Sequence, residues 1–377
     1  MKNKISKRFL SLDVFRGITI CFMIIVNSPG TGAPFYASLT HVSWFGFSLA
    51  DLVFPSFLFA MGNAMAFSIP KFKSGDSKIF WKKTIKRSLL IFLIGYLLYW
   101  FPFFEFDQEN ELVLKPISQT RIMGVLQRIA ICYFVVAVLA YYFKRKTIAI
   151  IAVATLIIFW ILLYLLGETG RELEMATNGI TWLDQKILGE AHMYKKDRIV
   201  FDPEGILSTL PSIVNVIGGY LAGVLIRKHE KTHKTVAELL VIGVMLISLS
   251  LFWNEFLPFS KKLWTSSFAL YTVGIDLCII GFLIFIIELK NIKFGTYFFT
   301  VFGKNPLFIY LFSELFFISL CLIHTPSGER VFDWLSQHVF QNIYSGSFGA
   351  LLTALFIMGV CWLLGWILDK NKIYIKL

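Results

Sequence analysis

The chain is 377 residues long, 56% hydrophobic and 17% aromatic, with only 16% charged residues and a mean hydropathy of +0.69. Soluble domains carry about a quarter charged residues, so the composition argues against a soluble two-domain enzyme and for a polytopic helical membrane protein. A net charge of +12 would suit a nucleic-acid binder, but loop lysines and arginines distributed by the positive-inside rule account for it, and no nucleic-acid partner is expected.

The N-terminal stretch "MKNKISKRFLSLDVFRGITICFMIIVNSPG" has the basic-then-apolar order of a signal peptide. Asp13 and Arg16 interrupt the start of its apolar core, and no small-x-small cleavage site follows closely. It therefore reads as a retained first transmembrane helix. Apolar stretches of about 20 residues place spans at 12–29, 44–68, 88–104, 121–143, 147–166, 206–226, 236–257, 264–288, 304–323 and 348–368. The expectation is an all-α fold of about ten transmembrane helices.

The loops between these spans alternate in charge. "MKNKISKR", "KFKSGDSKIFWKKTIKR", "KRKT", "RKHEKTHK", "ELKNIK" and "DKNKIYIK" are basic. Those on the other side are uncharged, acidic or mixed, with a weak exception at "SKK" (260–262). That alternation predicts both termini in the cytoplasm. The chain reads as a single domain, 1–377, whose longest outer loop, 167–205, contains "WLDQKILGEAHMY", a candidate interfacial helix. The five cysteines all lie in apolar runs without CxxC spacing, and no histidine pair has convincing ligand spacing, so no metal is expected.

Several charges fall inside apolar runs: Arg16, Asp51, Arg121, Arg128, Asp276 and Glu314. A charge at the bilayer centre costs at least about 2.5–3.5 kcal/mol. Internal salt bridges, such as Arg16 with Asp13 or Arg128 with Asp51, are one explanation; a hydrated cavity is the other. Arg121 and Arg128, in "RIMGVLQRIAICY", are expected on one face of a single helix with Gln127 beside it. Asn27 ends the first span and His41 opens the next, so both are placed at one outer mouth. A neutral imidazole beside an amide suits a general base with an oxyanion-binding or substrate-orienting partner. Asp51, ten residues beyond His41 on the same expected helix, is placed about 15 Å deeper, near the midplane. His192, in the long outer loop, is a further candidate. Lys304 and Asn305 of "FGKNPLFIY" enter a helix on the inner side, as does Arg16, and offer a phosphate site.

The stretches "SLDVFRGITICFMIIVN", "HVSWFGFSLADLVFPSFLFAMG", "RIMGVLQRIAICYFVVAVL", "ILGEAHMY", "FDPEGILSTLPSIVNVIGGYLAG", "LWTSSFALYTVG" and "FGKNPLFIY" run from residue 11 to near the C-terminus. In this order they resemble the transmembrane acyltransferases of the heparan-alpha-glucosaminide N-acetyltransferase family. The resemblance implies acetyl-CoA as cytoplasmic donor and a glucosamine amine as acceptor on the opposite face. It implies His41 as catalytic base and Asn27 as its partner. Arg16, Arg121, Arg128, Lys304 and Asn305 match positions assigned to the coenzyme channel. Asp202 and Glu204 match an acceptor-side motif, and Asp51 and His192 join them as substrate-side candidates. The luminal N-terminal domain of the animal enzyme has no counterpart here, so a cell-wall or scavenged glycan is expected over heparan, in a bacterial inner membrane. A homodimer is a candidate assembly. The rival class is a secondary transporter of a small polar or sugar-like solute, for which no matched inverted halves are found; a scaffold protein would leave the polar stripe unexplained.

Overall fold

A computed structural model describes residues 9–73, 75–106, 111–196 and 199–375. The basic stretch 1–8 used in the charge alternation lies outside these residues. The chain is almost entirely helical. Helix α1 spans Leu10–Asn27 and α2 Leu49–Ser68, continued by a turn at Pro70–Lys73. Then come α3 (Ser77–Trp100), α4 (Val125–Tyr142), α5 (Arg145–Leu166) and α6 (Gly179–Leu188). Helices α7 (Thr209–His229), α8 (His233–Asn254) and α9 (Ser266–Leu283, continued by a π turn to Leu289) follow. The last are α10 (Thr296–Lys304), α11 (Pro306–Leu322) and α12 (Ser347–Lys370). Strands β1 (Phe104–Phe106) and β2 (Leu112–Leu114) pair antiparallel, as do β3 (Lys195–Lys196) and β4 (Ile199–Val200).

Among the described residues, eight helices are long and apolar enough to cross a membrane, or nine if the α10–α11 pair counts as one span. This is fewer than the ten expected. Helix α3 has the length, but its first three turns carry Lys78, Lys82, Lys83, Lys86 and Arg87. The α10–α11 pair bends by 85°. Pro306 sits at the first position of α11, where its missing N–H costs nothing, and Asn305 forms the corner.

Two expected helix starts are corrected. The second apolar span does not begin at His41 or Trp44. Residues 42–48 form an irregular segment that turns at Gly46 (φ +117°), and α2 starts at Leu49. The fourth does not begin at Arg121, because residues 121–124 lie outside any helix and α4 starts at Val125.

The centre of the bundle is the α2–α7 seam. A Cβ at Gly62 would lie 1.9 Å from the Val216 carbonyl oxygen, and one at Gly219 would lie 1.9 Å from that of Phe59. Only glycine permits backbones to approach this closely, which is how membrane helices gain van der Waals contact without a hydrophobic driving force. Phe59 faces Gly219 and Asn63 faces Gly223, so the two helices run parallel and begin at the same level. Helices α5, α8 and α12 are the least buried of the spans. They present Ile150, Val153, Ile161, Val241, Met245, Phe252 and Leu363 outward, as a lipid-facing surface requires.

Candidate active site

Three connecting segments meet at the ends of α1, α2, α7 and α9. Residues 28–48 link α1 to α2, residues 189–196 and 199–208 precede α7, and residues 255–265 precede α9. Gly46 N donates to the Phe259 carbonyl (2.8 Å), and the Trp44 indole N–H donates to the Leu173 carbonyl (2.8 Å). The first segment is thereby tied to both of the others' surroundings. The third is anchored by Trp264, which is fully buried and donates to Asn215 Oδ1 of α7 (2.9 Å).

A cavity of about 780 Å³ opens among them. Asn27, His41, Arg121, Glu204, Lys261, Lys262, Tyr310 and Glu314 supply its polar lining, and Met23, Val26, Val53 and Phe54 part of its apolar wall. That mixture of an apolar wall with a few converging polar groups is typical of small-molecule sites.

His41 and Asp51 are in direct contact. His41 Nδ1 stands 2.9 Å from Asp51 Oδ1. Asp51 is fully buried, and its Oδ2 accepts from Ser48 N (3.1 Å), Ser48 Oγ (3.0 Å) and Val42 N (3.4 Å). Asp51 is thus not at the midplane, as expected from a continuous helix. It sits in the first turn of α2, where the helix dipole and the cap N–H groups stabilise its charge. An ionised carboxylate has no proton to give, so His41 carries its proton on Nδ1 and leaves Nε2 as the unprotonated nitrogen. Burial lowers the His41 pKa from its ordinary value, against the opposing hydrogen bond from Asp51. The ring is therefore a neutral base near pH 7.

Lys261 faces the same ring. Its Nζ lies 3.2 Å from Nδ1 and 3.1 Å from Nε2. Nearly equidistant from both nitrogens, the ammonium stands off the axis of the Nε2 lone pair. The ring itself lines the cavity. Burial lowers the Lys261 pKa, opposed by Asp51 and Glu204.

Across the cavity, Asn27 Nδ2 donates to Glu314 Oε1 (3.0 Å). This joins the last residue of α1 to the middle of α11, beside Tyr310.

Arg121 and Arg128 do not share a helix face as expected, because Arg121 precedes the helix. Both instead grip the 202–208 segment. Arg121 makes a bidentate pair with Asp202 (Nε–Oδ2 2.9 Å, Nη2–Oδ1 2.5 Å) and reaches Glu204 Oε2 at 2.6 Å. It lies between the rings of Tyr99 and Tyr194, 4.9 and 5.0 Å from their centroids. Arg128 is fully buried, donates to the Ser208 hydroxyl and to the Gly205 carbonyl (3.3 Å), and stacks on Trp264 (4.9 Å). Its Nε and Nη1 have no partner among the described residues. Burial would raise the Glu204 carboxyl, but Arg121, Arg128 and Lys261 outweigh it and hold it low. Asp202 is buried behind the cavity wall, whereas Glu204 lines it.

The other expected site residues lie elsewhere. His192 Nδ1 bonds the Thr120 carbonyl (2.8 Å), and its own carbonyl accepts from Ile122 N (3.1 Å). It fixes the approach to Arg121 and does not line the cavity. Arg16, Lys304 and Asn305 come together near the other end of α1. Arg16 donates to the Gly303 carbonyl (3.1 Å). Lys304 pairs with Asp369 (2.6 Å), and Asn305 holds the backbone of Ile373 and Ile375 (3.0 and 2.8 Å). Lys304 and Asn305 thus bind the C-terminal segment.

Lys261 was missed from sequence. Its signal was the "SKK" exception: lysines on a side of the chain that the charge pattern leaves poor in them.

The chain is 28% identical to human heparan-alpha-glucosaminide N-acetyltransferase over 98% of its own length and 60% of the relative's. It is 28% identical to the mouse protein of the same name over 99% and 61%. The chain thus spans about three fifths of the length of these curated relatives. The acyltransferase domain family profile matches residues 9–369, nearly end to end, and the chain belongs to that acyltransferase family.

Proposed function

We propose that this protein transfers an acetyl group from acetyl-CoA to the amine of a glucosamine-type sugar, with the cavity open to the outer face and the donor supplied from the cytoplasm. The observation that carries this reading is the Asp51–His41 pair beside a cavity that has room for an acceptor and a thioester. The names of the two relatives supply the acetyl group and the glucosaminide class of acceptor; acetyl-CoA as donor is carried over from the family resemblance.

In this reading the acceptor ammonium first loses one proton to solvent. His41 Nε2 takes a second proton as the amine nitrogen attacks the thioester carbonyl carbon. The C–S bond breaks, and His41 returns that proton to the departing thiolate, so the imidazole ends neutral. Asp51 fixes the tautomer and stabilises the transient imidazolium. Asn27 and Glu314, joined by a hydrogen bond, orient the amine through their remaining acceptor oxygens. Glu204, locked by Arg121, shapes the acceptor side. Helix α1 joins this end to Arg16, about 16 Å away at about 1.5 Å per residue. An extended pantetheine arm can cover that distance, with Arg16, Lys304, Asn305 and the unpartnered N–H groups of Arg128 as candidates along its path.

The test is incubation of the purified protein with labelled acetyl-CoA and a panel of amino sugars. Transfer to a glucosamine is expected, and His41→Ala should lower it by about 10²–10⁴-fold while acetyl-CoA binding persists. Undiminished turnover in that variant would remove His41 as base. Solute flux without acetyl-CoA, and no label transfer, would replace the enzyme with a transporter.

A further inference from the structure

We infer that Lys261 is a second catalytic residue, donating from its ammonium to the oxyanion that forms on the thioester carbonyl. The inference rests on the acetyl-transfer reading above and goes beyond it in naming the oxyanion donor.

The cavity has two unlike walls. On one, Asn27 donates to Glu314. With the Asn27 amide N–H already given to Glu314, this wall suits the incoming amine. On the other, Lys261 projects a cation 3.1 Å from the nitrogen assigned as base. In the tetrahedral adduct the new C–N bond and the oxyanion share one carbon. A base on the nitrogen and a donor on the oxygen must therefore stand close together, and Nε2 and Nζ do. Lys261 stands off the Nε2 lone-pair axis, nearly as far from Nδ1 as from Nε2, as a donor to the neighbouring oxygen must.

The loop holds the lysine in this position. Trp264 is locked to α7, Ser260 N donates to Thr265 Oγ1 (3.2 Å), and Phe259 N donates to Asn254 Oδ1 (2.8 Å). A preorganised donor needs little rearrangement as charge develops, which is the condition under which such groups contribute most. The electron pair displaced from the C=O bond resides on that oxygen while the C–N bond forms. It returns as the C–S bond breaks, and Lys261 keeps its proton throughout.

The experiment compares wild type, Lys261→Met and Lys261→Arg as purified full-length protein, with acetyl-CoA and glucosamine, across pH. Removing one oxyanion donor typically costs about 10²–10³-fold in kcat. That loss is expected for Lys261→Met, with KM for both substrates little changed. Because Lys261 titrates below an exposed lysine, wild-type kcat should fall at alkaline pH. Lys261→Arg should recover part of the rate and lose that fall, since guanidinium does not titrate there. A folded Lys261→Met with kcat within a few-fold of wild type overturns the proposal. So does a change confined to KM, or a folded Lys261→Arg as inactive as the Met variant or with an unaltered alkaline fall. If Lys261→Met does not fold, the Arg profile decides. If wild type makes no product with any amino sugar, the acetyl-transfer reading itself fails and this inference falls with it. Product from wild type with an unaffected Lys261→Met removes the inference alone.

Discussion

At the residue scale, the decisive contact is the one between His41 and Asp51. Asp51→Asn separates its two tasks. The asparagine carbonyl can still accept from Ser48 and Val42, so the start of α2 should survive. Its amide N–H, however, would donate to Nδ1 and drive the ring proton to Nε2, leaving no base facing the cavity. The expected result is a kcat loss of about 10²–10⁴-fold with little change in melting temperature. Asp51→Ala should instead lose stability as well, because each orphaned buried donor costs about 1–3 kcal/mol. A full-rate Asp51→Asn variant would show that the tautomer does not matter. His41 and Asn27 were legible in sequence, as residues flanking a short loop between two apolar runs. Asp51 was misread for lack of a helix start. The signal was present: "SLAD" (48–51) is the capping pattern Ser/Thr-x-x-Asp/Glu before an apolar run. Taking it as a cap would have moved Asp51 from the midplane to the first turn, within reach of His41.

At the scale of elements, the segment between β4 and α7 organises the acceptor side, and α6 supports it from below. Asp184 of α6 is fully buried, and its Oδ1 accepts from Ile206 N (2.9 Å). Its Oδ2 has no hydrogen-bond partner among the described residues and lies where a Cβ on Gly205 would fall. Burial pushes its pKa up to about 7, opposed by the Ile206 N–H and by Arg128. The sign of the pH effect follows. The folded protein binds this proton more tightly than the unfolded chain does, so the Asp184 contribution favours folding below about pH 4. It is lost as pH rises towards about 7. Asp184→Asn keeps an oxygen for Ile206 N and removes the charge. Melting temperature should therefore decline less between pH 5 and pH 8 in the variant than in wild type. Equal declines would mean that Asp184 is not protonated in the folded state. None of this was visible in sequence: "WLDQKIL" reads as an amphipathic interfacial helix, and nothing in its spacing says that the aspartate turns inward. The ion pairs of Arg121 were hidden for the same reason. Asp202 and Glu204 stand 81 and 83 residues away, and local patterns carry no information at that range.

At the scale of the whole molecule, the site is built on two parallel helices that start level with each other. Helix α2 begins with Ser48–Asp51 and so fixes His41. Helix α7 begins directly after the 202–208 segment that holds Arg121 and Arg128. The distance between these two halves of the site is therefore set by how closely α2 and α7 pack, and that is set by glycine. The apolar spans and the family resemblance made the membrane fold readable. Which helices would meet was not, because lipid-facing and helix-facing apolar residues look alike in composition. Gly219→Val places atoms where the Phe59 carbonyl now sits and must push the seam apart. The expected outcome is a combined loss: a lower melting temperature, since overpacking typically costs about 1–3 kcal/mol, and a reduced kcat. The second loss follows because a misplacement on the order of 1 Å at a catalytic constellation can cost about 10²-fold. Gly359 on α12 is the control, since a Cβ there meets nothing within 4 Å; Gly359→Val should leave both quantities near wild type. If Gly219→Val lowers melting temperature while kcat in the folded fraction stays unchanged, the α2–α7 seam supports the fold without setting the geometry of the site. If both fall together, with Gly359→Val silent, the close approach of two helices deep in the bundle governs the placement of His41 relative to the acceptor wall.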